Sequence, residues 1–133
     1  MKNMIRNVGT AEFSKIKQGL KKDKKAYVVV IDGREIQSWQ SYLDKMFSEF
    51  QMPLAEYKNS NAYLDWMMDL GWLNSERYVF AIENYHEFMK GDLSTKKAIV
   101  DDFREDILPF WEEEVKHVVV GGRPKEFQVY LID

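Results

Sequence analysis

AYVVVID, residues Ala26–Asp32, decides the fold. The run is short, rich in β-branched residues and apolar on both parities. A strand with one wet face would alternate apolar and polar. A strand apolar on both faces belongs in a parallel sheet covered above and below. Asp32-Gly33 ends it. Two further segments read as strands: YVFAI at 78–82, and EFQVYLI at 126–132 with Phe127, Val129 and Leu131 on one parity. Between the first two, Ile36, Trp39, Leu43, Met46, Phe47 and Phe50 recur at spacings of three and four. They predict a helix that Pro53 helps to end. A second helix is expected over residues 60–70, with Asn59 or Ser60 as its cap and Gly71 as the residue after it. A turn near 85–90 leads to a long helix from about Ser94, striped with Ile99, Val100, Phe103, Ile107, Phe110 and Trp111. Pro109 is expected to kink or break it. Residues 118–120 either close that helix or pair as a hairpin with the last strand. The alternation predicts an α/β fold with a small three-stranded, mainly parallel sheet packed with helices.

Upstream, residues 10–20 predict a short amphipathic helix capped by Thr10, with Phe13, Ile16 and Leu20 on one side. Lysines fill 21–25. Residues 1–25 hold eight Lys/Arg against Glu12 and Asp23, whereas residues 26–133 carry a net charge of -9. The chain therefore divides into a basic, partly helical N-terminal extension, 1–25, and a domain over 26–133. The acidic body repels nucleic acid and attracts basic proteins. No window approaches the roughly 18 consecutive apolar residues of a membrane helix, and residues 1–10 lack the apolar core of a secretion signal. Cysteine is absent, which suits a reducing compartment, so the cytoplasm is expected.

Enzyme signatures are missing. His86 and His117 sit in no ligand or triad pattern, Gly121-Gly122 follows no phosphate-loop pattern, and no serine occupies a nucleophile elbow. No metal or cofactor is expected. The helix at 60–70 is more informative. At 100° per residue, Asn61, Asp65 and Asp69 form one polar ridge. Tyr63, Met67 and Leu70 face the core, and Leu64 and Met68 border the ridge with apolar surface, the mixed texture of a binding face. Trp72, just past Gly71, is expected to be partly exposed beside it. Asp and Asn on an outer helix face are ordinarily just solvated. On the long helix, Asp101, Asp102, Glu105 and Asp106 make a second acidic arc opposite the apolar stripe. Its like-charge i,i+4 pairs cost a few tenths of a kcal/mol each.

Residues 26–133 resemble the barstar family of intracellular ribonuclease inhibitors. The resemblance is carried by VVVIDGREIQS, by Met52-Pro53, by Asn59, Asn61, Ala62 and Asp65 in the pattern N-x-N-A-x-x-D, by DLGWL at 69–73, by Phe103-Arg104-Glu105 and by FQVYLID. Two extra residues stand before Trp72, because the gapless register would bury Asp65 and Asp69 unpaired. The resemblance implies that Asp65 is the aspartate that enters the nuclease's phosphate site, Asn59 the asparagine of the preceding turn, and Glu105 the acidic contact on the late helix. Asn61 stands where the family has a second aspartate, and Leu64 where it has a tryptophan. Ala55, Glu56 and Tyr57 replace an aromatic-aromatic-glycine loop. These departures point to a cognate enzyme other than barnase.

The expected function is that of a non-enzymatic, cytoplasmic inhibitor, monomeric when free. It occludes the active site of a basic secreted ribonuclease or related toxin through the 60–70 helix and its loop. The partner-binding residues are Asp65, Asn61, Asn59, Leu64, Asp69, Trp72 and Glu105. Neither nucleic acid, for the acidic body, nor membrane is an expected partner. The alternatives are an immunity protein against a toxin of another chemistry, a non-inhibitory interaction domain, and an enzyme using Asp65 and Asp69 as paired carboxylates.

Overall fold

The computed structural model describes residues 2–133. Four parallel strands form one sheet in the order β1-β4-β3-β2: β1 (Ile5–Val8), β2 (Ala26–Asp32), β3 (Arg77–Glu83) and β4 (Glu126–Ile132). The three expected strands are β2, β3 and β4. The fourth, β1, lies on the open edge of β4, pairing Ile5 with Val129 and Val8 with Ile132. Its four residues are too few, and Arg6 and Asn7 too polar, to give a strand signal. Short and charged is how edge strands resist unwanted pairing. Buried Asn3 anchors its start. The Asn3 side chain donates to the Leu108 and Lys125 carbonyls and accepts from Phe127 N–H at 2.9 Å.

The helices are α1 (Thr10–Lys21), α2 (Trp39–Glu49), α3 (Ser60–Met67), α4 (Leu93–Asp102) and α5 (Val115–Val118). Val29, Ile31, Phe80, Ile82, Phe127 and Val129 face α2, α3 and α4 in the larger core. Val28, Val30, Val79, Ala81, Tyr130 and Ile132 point the other way, where Phe13, Ile16 and Leu20 of α1 cover them. The doubly apolar reading of residues 26–32 therefore holds. The chain crosses from β1 to β2 in one direction across the sheet, and from β2 through β3 to β4 in the other. With right-handed crossovers the rule, that reversal puts α1 on the opposite face from the other helices.

Three local expectations are corrected. Gly9 caps α1, and Thr10 is its first residue. Helix α3 stops at Met67, and Leu70, not Gly71, takes the left-handed conformation (φ 54°). Leu70 is held there because its side chain is fully buried. Pro109, expected to kink or break the long helix, distorts it without breaking it. Wide π-type turns at Phe103–Ile107 and Phe110–Glu114 flank it, and the chain runs on helically into α5. Widening the turn keeps the preceding carbonyls clear of the ring and removes the need for the missing N–H. The ambiguity at 118–120 resolves as a helix end. Val119 is extended and pairs with no strand, and Val118, Val119 and Val120 are exposed.

Candidate functional site: an acidic helix between two clefts

Helix α3 is positioned from beneath by its apolar side and from its ends by hydrogen bonds. Tyr63 and Met67 are fully buried, and the Tyr63 hydroxyl lies 2.6 Å from that of Tyr42 on α2. Burial pushes both phenols up, so each stays neutral. At the start, Asn59 Oδ1 accepts Ala62 N–H at 2.9 Å, the capping bond that its residue type favours. Asn59 is thus the cap, rather than Ser60. At the end, the Trp111 indole N–H donates to the Met67 carbonyl at 2.9 Å.

On the outer side, Asn61 and Asp65 are exposed, and neither makes a side-chain hydrogen bond or ion pair among the described residues. Asp69 is exposed too, but it lies beyond the end of the helix, so the ridge is shorter than the spacing implied. Its Oδ1 instead accepts Gly71 N–H at 3.0 Å. Leu64 is half-buried against the core. Trp72 is partly exposed as expected. Its indole N–H donates to the Phe50 carbonyl at 2.9 Å, and its ring meets Trp66 edge-on at 5.5 Å. These bonds make Trp72 a rigid flank.

The helix is bordered by two clefts against the long helix. One, of about 280 Å³, lies between Ser60 and Leu64 of α3 and Thr95, Ala98 and Asp102 of α4. The other, of about 520 Å³, places Asp65, Met68 and Asp69 opposite Phe110, Val115 and Val119. The acidic arc of the long helix is not uniform. Asp101 is consumed by Lys97 and by Arg104 at 3.2 Å. Asp102 is half-buried against α3 rather than outward. Its carboxyl is pushed above the ordinary value by burial first and then by Asp106, Asp101 and Glu105. Glu105 and Asp106 are exposed without an ion pair among the described residues, and Glu105 lies in the first π-type turn.

The residues that sequence reasoning passed over lie in the loop before α3. Leu54 and Tyr57 keep 60% and 71% of their surface exposed. Leu54 adopts the left-handed conformation (φ 55°, ψ 44°), uncommon for such a residue. Lys58 ties the loop to the body through Asp44 at 3.4 Å. Two apolar groups with no core to join, between Pro53 and a polar cap, were the available signal.

Among the described residues, no group of three or more His, Asp or Glu is placed to hold a metal ion. No helix there is long and apolar enough to cross a membrane. No curated protein and no solved structure matches the chain. The model of the family described as Barstar (barnase inhibitor) matches residues 26–131, and the chain belongs to that family.

Proposed function

We propose that the protein inhibits a cognate basic ribonuclease by seating α3 and the 53–59 loop in its active-site cleft. The single observation that carries this is Asp65: an exposed carboxylate on the helix, with no side-chain partner among the described residues. A nuclease's phosphate site is lined with cations and donors. A carboxylate desolvated there gains charge-assisted hydrogen bonds, each worth about 1.5–3 kcal/mol. Asn61 contributes a neutral hydrogen bond, Leu64 and Trp72 the apolar flank, and Asn59 holds the cap that aims the helix. Asp69 and Glu105 extend the negative field that draws a basic partner in. Exposed Leu54 and Tyr57 supply the apolar contact that surrounds such a charge and excludes water. The protein itself catalyses nothing in this reading. It is a monomer when free and acts in the cytoplasm.

The experiment is titration of the protein into a panel of small basic ribonucleases, with RNA cleavage as the readout. Stoichiometric inhibition of one of them is expected, weakened more than tenfold by Asp65→Ala. A nuclease inhibited equally well by that variant would remove Asp65 from the site.

A second reading rests on the altered loop. Ala55, Glu56 and Tyr57 form a short 3₁₀ turn where the family resemblance leads one to expect two aromatics and a glycine. A toxin of different chemistry is then the partner. Co-purification with the product of the adjacent reading frame, and an assay of that product, separates the two.

A further inference from the structure

The basic segment and the acidic binding face lie on opposite sides of the sheet. Phe13, Ile16 and Leu20 lie against the sheet face that α2, α3 and α4 do not touch. Each helix is about 10 Å across, so Lys15 and Lys21 of α1 stand on the order of 20 Å from Asp65 of α3, whereas Lys24 and Lys25 lie at the end of the sheet, where the Lys25 carbonyl accepts the N–H groups of Glu76 and Arg77. The Debye length at physiological ionic strength is about 8 Å. At that separation the carboxylate of α3 does not cancel the field of the α1 lysines.

Among the described residues, the lysines of that face also have no carboxylate partner. Glu12 and Asp23, the only carboxylates in residues 1–25, are both taken by arginines: Glu12 by Arg6 at 2.9 Å and Asp23 by Arg77 at 2.7 Å. Lys15, Lys21, Lys22, Lys24 and Lys25 are exposed, and none of them makes an ion pair among the described residues. Lysine near a helix C-terminus complements the helix dipole. That accounts for Lys21 and Lys22, but not for Lys15, Lys24 or Lys25.

We infer that this face binds the phosphate backbone of a nucleic acid, independently of the acidic face and beyond the inhibitory reading. The chemistry of the patch selects that ligand over an anionic membrane. A helix that inserts into a lipid interface must offer its apolar side, and the apolar side of α1 is spent on the sheet, which leaves a membrane only the attraction of charge, about 1 kcal/mol per lysine. None of the large exposed apolar residues of the protein lies on α1. The patch also lacks aromatic and arginine side chains free to stack on bases. Recognition is therefore by charge along the backbone, without sequence preference.

The test is fluorescence anisotropy of the full-length protein with labelled 20-mer duplex RNA, duplex DNA and single-stranded RNA, at salt from 50 to 200 mM. Lys15→Gln/Lys21→Gln/Lys22→Gln and Asp65→Ala are measured beside the wild type. Thermal melts check that each variant is folded. Binding that weakens steeply with salt is expected. The triple variant should lose at least tenfold at 50 mM salt, and its log–log salt slope on duplex DNA should shrink by about 2–3, near 0.9 per lost contact. Asp65→Ala should bind as wild type, which separates this face from the inhibitory one. Comparable RNA and DNA duplexes identify a shared backbone ligand, and a preference for one names the source. The inference is overturned by the absence of binding at 50 mM salt. It is equally overturned by unchanged binding in the folded triple variant, or by retention on vesicles of one-quarter phosphatidylserine with none on nucleic acid.

Discussion

The Trp111 indole donates to the Met67 carbonyl at 2.9 Å, and that bond joins the end of α3 to the long helix. Met67 is the last residue of α3, where carbonyls lack helical partners, and both side chains are buried. The contact sets how α3 is carried relative to the clefts beside it. Trp111→Phe keeps most of the packing but strands the carbonyl. A loss of about 1–3 kcal/mol is expected in urea unfolding, with faster amide exchange confined to the last turn of α3.

The loop before α3 should show strain and function opposing each other. A left-handed conformation costs a non-glycine residue roughly 1–2 kcal/mol, and glycine returns part of that as unfolded-state entropy. Leu54→Gly should leave stability unchanged or raise it by up to about 1 kcal/mol. Tyr57→Ala, at an exposed position, should shift stability by no more than about 0.5 kcal/mol. Both should weaken the complex with an inhibited nuclease, read as a faster dissociation rate.

Asp102 gives a pH signature. Burial and the neighbouring carboxylates raise its folded-state value above the ordinary 3.8. The carboxyl is neutral in both states at lower pH. As pH rises through the raised value, the folded state must hold a charge it disfavours, and stability is lost. Asp102→Asn should therefore raise the melting temperature at pH 7 and leave it unchanged at pH 3. A gain of equal size at both pH values would assign the effect to packing instead.

The N-terminal segment should behave as part of the cooperative fold. Phe13 is 2% exposed and sits against Tyr130 with ring centroids 5.7 Å apart. Phe13→Ala should cost about 3–5 kcal/mol, in one transition seen alike by far-ultraviolet dichroism and by tryptophan fluorescence. A small early transition with an intact remainder would make residues 2–25 a separable appendage.

Much of this was legible from local pattern. The both-sided apolar run of 26–32, the parity of Phe127, Val129 and Leu131, and the core side of α3 follow from periods of two and 3.6, which any short window carries. So does the outward position of Asn61 and Asp65. The pattern failed where a neighbour distant in sequence decides. Asp102 reads as outward on its own helix, yet it lines the cleft between α4 and α3 and is half-buried there. Leu70 takes the left-handed conformation that Gly71 was expected to supply, because its side chain is held in the core.

What the amino-acid order determined alone was the set of apolar faces and the acidity of one helix, since these depend only on residues within a few turns of each other. What the tertiary structure decided was the fourth strand and the sidedness of the charge. Residues 5–8 become a strand only when the edge of β4 offers them hydrogen bonds and Asn3 finds the carbonyls of Leu108 and Lys125. The lysines of α1 stand clear of the helices on the other face only because the chain reverses its direction across the sheet, and the handedness of its crossovers then places α1 behind it.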